Sequence, residues 1–401
     1  MHVDIDSLGV FDRLAREGAD RAADSLSRLT GTNATVEVTN ISFLTQADAH
    51  ATFGSESYTG VRIGFGGRVR GDTVLLFREA DANRLVDLLL PDGDHDEHLA
   101  RSGIKEVANI VLSGFVDGWA NYLGESIDIT TPTYIEDGGS AVLDQGAVDA
   151  DADGMFLFES TLTVDEEFSL ELYMLPEYSA FSTLVSEREM AEETIPIDKL
   201  AAFNEMTREG ASGAARNITT MTGVDTDVEV SRIRFVPVEA VPSQVSDETV
   251  AGIVVSLTGR PSGYLAILFD EPSALAVADS MLPTDAGEEF EGMTKSAIEE
   301  VGNVMTSGFI DGWANVLQTS IEHSPPEFVH DMGSAVMTPV VGRLGRTQDH
   351  AFMLDSTVTT DGRDVRCNIY VLPHGDELAT ALADLDLERT AETEANVDQF
   401  F

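Results

Sequence analysis

A carboxylate and a carboxamide one helical turn apart, Glu106 and Asn109, open the segment EVANIVLSGFVDGWAN. The same couple returns 194 positions later as Glu300 and Asn303 in EVGNVMTSGFIDGWAN. On a helix, residues three apart hold their Cβ atoms about 5 to 6 Å from each other on one face. The carboxylate can hold a cation offered by a partner. The amide can donate to and accept from one water molecule at once. Neither group is a convincing nucleophile here, and no histidine stands close in sequence to act as a base. The chemistry open to such a couple is the orientation of water against a bond activated elsewhere. Phosphoryl transfer is of this kind, because its loose transition state is served by positioning and electrostatics.

The couple needs a helix to aim it. Turning about 100° per residue from Glu106, Ser102, Asn109, Ser113 and Asp117 fall within about 60° of it. Ile104, Ala108, Val111, Leu112, Phe115, Trp119 and Tyr122 fall on the other side, with Ile110 at the stripe's edge. The second copy repeats this: Ser296, Glu300, Asn303, Ser307 and Asp311 face out, while Ile298, Met305, Phe309, Trp313 and Val316 face in. The apolar side is core, with Trp119 and Trp313 as its anchors. Ser102 and Ser296 read as residues near the helix start, where a hydroxyl can accept a backbone N–H. A solvated face would account for the polar stripe in one copy. Two facts tell against it. Asn is a poor helix-interior residue, because its amide competes for backbone hydrogen bonds. All five stripe residues are also unchanged between the copies, while core positions such as Ala108/Gly302 and Leu112/Thr306 have diverged.

The helix belongs to a larger repeat. A shift of about 192 to 197 residues lays SLSRLTG on NITTMTG, GDTVLLF on GYLAILF, GGSAV on MGSAV and YMLP on YVLP. A repeat this long is a duplicated domain. The boundaries read as 1–184 for the first domain, 185–197 for a charged linker carrying Pro196, 198–385 for the second domain and 386–401 for an acidic tail. Each copy presents a first helix (about 8–29 and 198–221), an alternating strand, a strand hairpin, a short helix, the long helix and further strands. The order predicts an α+β fold with helices layered on a mostly antiparallel sheet.

Composition bounds the partners. The 401 residues hold 24 Lys+Arg against 71 Asp+Glu, for a net charge of −47, and the only lysines are Lys105, Lys199 and Lys295. Such a surface repels nucleic acid and anionic lipid, so neither is expected as a partner. It suits a cytoplasm of molar salt, where the Debye length falls to roughly 3 Å. The opening MHVDIDSLGV does not read as a signal peptide, and no apolar run reaches the ~18 residues of a membrane span. A soluble cytoplasmic protein is expected. A single cysteine, Cys367, leaves no disulfide or thiolate metal site within the chain. DADADG (Asp149–Gly154) reads as a solvated loop, the scattered histidines as surface, and no metal ligands are expected.

The spacing Ser-x3-Glu-x2-Asn, then 22 residues and Pro, occurs as Ser102, Glu106, Asn109, Pro132 and again as Ser296, Glu300, Asn303, Pro326. It resembles the signature of the CheC/CheX/FliY chemotaxis phosphatases. The first helices, LAREGADRAADSLSRLTG and EMTREGASGAARNITTMTG, resemble that family's N-terminal helix. The resemblance implies two tandem α+β domains, each with two long helices on one sheet, related by pseudo-twofold symmetry. It implies hydrolysis of the aspartyl phosphate on the response regulator CheY. Glu106 and Glu300 would engage a lysine of the regulator, and Asn109 and Asn303 would direct the attacking water. The rest of the stripe, Ser102, Ser113, Asp117, Ser296, Ser307 and Asp311, with Pro132 and Pro326, would face the regulator. The Mg²⁺ would be the regulator's own, so the chain would carry no cofactor. The family often has a second Glu/Asn pair on the first helix. Here Arg13 and Arg16 stand in the first copy, Glu205 and Arg208 in the second, and an Arg cannot accept from water. One working site per repeat is therefore expected. The closing NVDQFF, with Phe400 and Phe401, resembles the acidic-hydrophobic peptides by which chemotaxis proteins hold CheY. The alternative reading is a non-catalytic adaptor for CheY or for the receptor deamidase CheD. A motor-switch component ranks lower, because no switch-type domain is appended.

Overall fold

The computed structural model describes residues 2–45, 48, 57–89, 97–138, 154–165, 167–177, 194–223, 225–282, 290–317, 319–360 and 365–385. The chain divides into two compact units, Asp6–Met190 and Ala191–Phe401, the latter joined by Met1–Ile5. No helix among the described residues is long and apolar enough to cross a membrane.

The chain opens with strand β1 (His2–Asp4) and helix α1 (Ile5–Thr30), followed by β2 (Ala34–Leu44) and the hairpin β3 (Ser57–Gly66) and β4 (Gly71–Arg78). Helices α2 (Glu79–Leu89) and α3 (Glu97–Leu123) come next. Strands β5 (Asp128–Ile129), β6 (Thr133–Gly138), β7 (Met155–Val164) and β8 (Phe168–Pro176) complete the first unit. Its sheet runs β2-β7-β8-β4-β3, antiparallel throughout, and β5 and β6 both pair with the free edge of β3.

The second unit begins with β9 (Thr194–Pro196), which pairs with β1 and so draws in the first five residues. Helix α4 (Ile197–Thr222), β10 (Thr226–Pro237) and a 3₁₀ turn at Val238–Gln244 follow. Then come β11 (Thr249–Gly259), β12 (Gly263–Asp270), α5 (Glu271–Met281) and α6 (Gly292–Leu317). Strands β13 (Ile321–His323) and β14 (Glu327–Met332), helix α7 (Gly333–Leu344), strands β15 (His350–Thr360) and β16 (Arg366–Pro373) and helix α8 (Gly375–Ala383) close it. The sheet order, β10-β15-β16-β12-β11 with β13 and β14 on β11, repeats that of the first unit strand for strand. Even the irregularity in the first long strand recurs, between Val36 and Val38 and between Val228 and Val230. The α+β class and the tandem repeat read from the sequence are the observed architecture.

In the second unit both faces of the sheet are buried. Ala266 and Leu268 of β12 pack with Val336, Met337, Val340 and Leu344 of α7 and with Val238 and Val241 of the 3₁₀ turn. Leu265, Ile267 and Phe269, which point the other way along the same strand, are buried as well. A strand covered on two sides reads as an unbroken apolar run, which is what GYLAILF is. Helix α7 departs from the strands expected after the long helix. Its Val-rich stretch and interior Pro339 argue locally against a helix. The apolar stripe of Val336, Met337, Val340 and Leu344 lays it on the sheet, and packing overrides the local preference.

Cys367, read as a core residue in a strand, lies buried in β16. Burial pushes its thiol up, and the Asp270 carboxylate adds to the shift. The thiolate is the reactive form. The native protein should therefore leave Ellman's reagent uncoloured at about pH 8, and the full colour of one thiol should appear only on unfolding. Prompt reaction of the folded chain would show the site to be open.

Candidate functional site

Each site is built on the second long helix of its unit. On α3, Ile104, Val107, Ala108, Val111, Leu112, Phe115 and Trp119 are buried, while Ser102, Glu106 and Asp117 are exposed and Asn109 and Ser113 half-buried. On α6, Ile298, Val301, Met305, Phe309 and Trp313 are buried. Ser296, Glu300 and Asp311 are exposed there, with Asn303 and Ser307 half-buried. The structure thus brings each carboxylate–amide couple to one outward face, in both units. The amide stands lower on the flank than the carboxylate, which limits the directions from which water can approach it. Ser307 donates its hydroxyl to the carbonyl of Asn303 at 3.0 Å, one turn back along the stripe.

The helix starts correct one reading. Helix α3 begins at Glu97 and α6 at Gly292, so Ser102 and Ser296 lie inside the helices and not at their caps. They remain members of the outward stripe. Pro132 and Pro326, both half-buried, immediately precede β6 and β14. Each strand is tied to its helix in the same way. The Arg101 guanidinium lies 5.3 Å from the centre of the Tyr134 ring, and the Lys295 ammonium lies 5.3 Å from that of Phe328. Phe400 and Phe401 lie outside the described residues.

The first helix of the second unit packs beside the C-terminal part of the stripe, at Ser307 and Asp311 and not at Glu300 and Asn303. In the second unit a groove of about 740 Å³ runs between α4 and α6. Glu205, Arg208 and Arg216 of α4 face Ser307 and Asp311 of α6 across it. Asn217 closes it by donating its side-chain amide to the Val304 carbonyl at 3.0 Å. Neither helix alone forms this groove, so the sequence of one helix carries no mark of it. In the first unit Arg16 is tied to Asp12 at 2.9 Å. Nearby, partial burial and the Glu17 and Asp24 carboxylates raise the Asp20 carboxyl above its ordinary range, against the pull of Arg16. Among the described residues no group of three or more His, Cys, Asp or Glu is gathered as metal ligands would be.

An antiparallel sheet under two long helices, made twice in one chain, with the same outward Ser-Glu-Asn stripe on the second helix of each, defines a tandem α+β protein of one repeated site. Residues 99–136 and 293–330, which carry the two stripes and their prolines, match the CheC-like family. CheC1 of Halobacterium salinarum, named as a candidate CheY-P phosphatase, is 37% identical over 184 residues, covering 45% of this chain and 92% of its own. The chain belongs to the CheC-like family. The CheY-P phosphatase CheC of Bacillus subtilis is 26% identical over 94 residues, which are 23% of this chain and 44% of that one. Among solved structures, Thermotoga maritima FliY aligns with 47% of this chain and 96% of its own at 17% identity and a TM-score of 0.38. The salt-adapted composition agrees with the Halobacterium relative.

Proposed function

We propose that the chain hydrolyses the aspartyl phosphate of a CheY-type response regulator at two sites, Glu106/Asn109 and Glu300/Asn303. The observation that carries this is the outward couple itself, unchanged in both repeats above a core flank that has diverged. The membership of the family and the names of the two CheC relatives support it. The regulator brings the activated bond, with its own Mg²⁺. The carboxylates of Glu106 and Glu300 bind a cationic group of the regulator and fix its distance from the helix. The amides of Asn109 and Asn303 then hold one water by donating to it and accepting from it. That water adds to phosphorus as the bond to the aspartyl oxygen breaks, and inorganic phosphate and a free carboxylate result. The rate gain comes from orienting the water, so no base of its own is asked of the chain. Arg16 and Arg208, where the family has its second amide, cannot accept from water, which leaves one working site per repeat.

The test is phosphate release from phosphorylated regulator in molar salt. Release accelerated by the intact chain is expected. A chain that binds the regulator without accelerating release would be an adaptor, and the phosphatase reading would fall. Removing residues 386–401 in the same assay asks whether NVDQFF tethers the regulator; unchanged affinity would remove that role.

A further inference from the structure

The stripe does not end at its serine. Leu99 stands seven residues before Glu106, and Met293 seven before Glu300. Seven residues turn a helix back to within about 20° of the same direction and rise about 10 Å. Leu99 and Met293 therefore lie on the face that carries the couples, two turns nearer the helix start. Both are exposed, at 46% and 58%. Among the described residues the other large apolar side chains left this open are Leu88, Ile129 and Met332, and no two of these occupy equivalent places in the repeats.

Their surroundings are duplicated too. Two residues on from each comes a cation, Arg101 or Lys295, laid over an aromatic ring, Tyr134 or Phe328, that stands two residues beyond the stripe's proline. The cation also pairs within the helix, Arg101 with Glu97 at 2.8 Å and Lys295 with Glu299 at 3.9 Å. Leu has become Met, Arg has become Lys and Tyr has become Phe between the copies. The residues have changed while the physical kind has not, which is what a contact surface under a shape constraint allows. The clamp holds the strand and proline beside the helix, so the open apolar side chain projects from a rigid rim.

We propose that Leu99 and Met293 are the apolar anchors by which each repeat grips the phosphorylated regulator. This rests on the function proposed above, and the occupant follows from continuity with the site. A small ligand at Asn109 would not extend 10 Å along the helix. A protein partner would, because a standard interface covers about 800 Å² a side. Salt argues for the same role. At molar ionic strength charges beyond roughly 3 Å are screened, so a chain of net charge −47 gains little from steering. Apolar contact is not screened, and the fully buried core of an interface is its most apolar part, where Met is among the enriched residues.

The full chain should be titrated with the regulator carrying beryllofluoride, a stable stand-in for its phosphoryl group, in molar salt. Leu99→Ser together with Met293→Ser is expected to raise Kd at least tenfold. The exchange Leu99→Met with Met293→Leu should keep Kd within twofold, and because both side chains are exposed, unfolding midpoints should not move. A double serine variant that binds within twofold of the parent overturns the proposal, as does a parent chain that shows no binding. A parent that binds without hydrolysing defeats the phosphatase reading alone, and the anchors are then judged on Kd as before.

Discussion

Asn109→Ala combined with Asn303→Ala is expected to slow phosphate release at saturating regulator by about 10² to 10³-fold, the usual cost of losing one positioned polar group at the reacting centre. The substitution removes the group that both donates to and accepts from the attacking water. It leaves Glu106 and Glu300 in place, so regulator affinity should persist. The half-buried setting of both amides matters to the size of the effect. A water that replaced the amide would occupy the same flank without a fixed orientation. Asn→Asp at both positions should do no better than Ala, because it keeps an acceptor, loses the donor and adds negative charge beside a phosphoryl group. With two equal sites each single variant should keep about half the turnover, and a single variant that loses nearly all of it identifies the working repeat. Single-turnover phosphate release on the parent, both singles and the double decides the matter. A double variant within tenfold of the parent would show that these amides do not set the water.

How much of this could be read from the chain follows from what each feature depends on. The stripe was legible because helical geometry alone decides which residues share a face. Glu106, Asn109 and Asp117 needed only the 3.6-residue period, and the second copy confirmed the phase. The strands Gly71–Arg78 and Gly263–Asp270 were legible because each carries an apolar run, Val74–Phe77 and Leu265–Phe269, that is buried on both faces. Helix α7 was hidden because its residues favour a strand and contain Pro339, and only the sheet it covers makes it a helix. The Arg208–Asp311 groove was hidden for a different reason. It belongs to two helices about a hundred residues apart in sequence, and its walls meet only once those helices pack. Leu99 and Met293 lie in the first turn of helices that begin at Glu97 and Gly292, and nothing in their residue type marks them as exposed before the fold is known. Local periodicity reports faces. It does not report which faces meet.

The meeting of the helices leads to the second large effect, a stability change of opposite sign at two glycines of one helix. Helices α1 and α3 come together at Gly18 and Gly118, and α4 and α6 at Gly210 and Gly312. A Cβ placed on Gly118 would stand 2.7 Å from the Gly18 Cα and 2.9 Å from the Glu17 carbonyl oxygen. One placed on Gly312 would stand 3.0 Å from the Gly210 Cα and 3.3 Å from its nitrogen. In both cases the obstacle is backbone, which cannot swing aside as a side chain can. A Cβ on Gly18 would likewise meet the Phe115 and Trp119 rings at 2.9 Å, so any parting of the helices loosens the core beneath the site. Gly118→Ala gains about 1 kcal/mol of helix propensity but must push two packed helices apart, a strain of typically 1–3 kcal/mol and more where nothing can yield. A net loss is expected, larger for Gly118→Leu and smaller for Gly312→Ala, whose contacts are looser. Gly103, three residues before Glu106 on the same helix, has open space where its Cβ would go. Gly103→Ala should therefore stabilise the protein by about 0.5–1 kcal/mol. For a unit of this size each kcal/mol moves the melting temperature by about 2–4 °C, so thermal unfolding in molar salt can separate the two signs. If Gly118→Ala melts no lower than the parent, the two helices do not approach as closely as the structure holds, and the rigid platform under Glu106 and Asn109 would need another source.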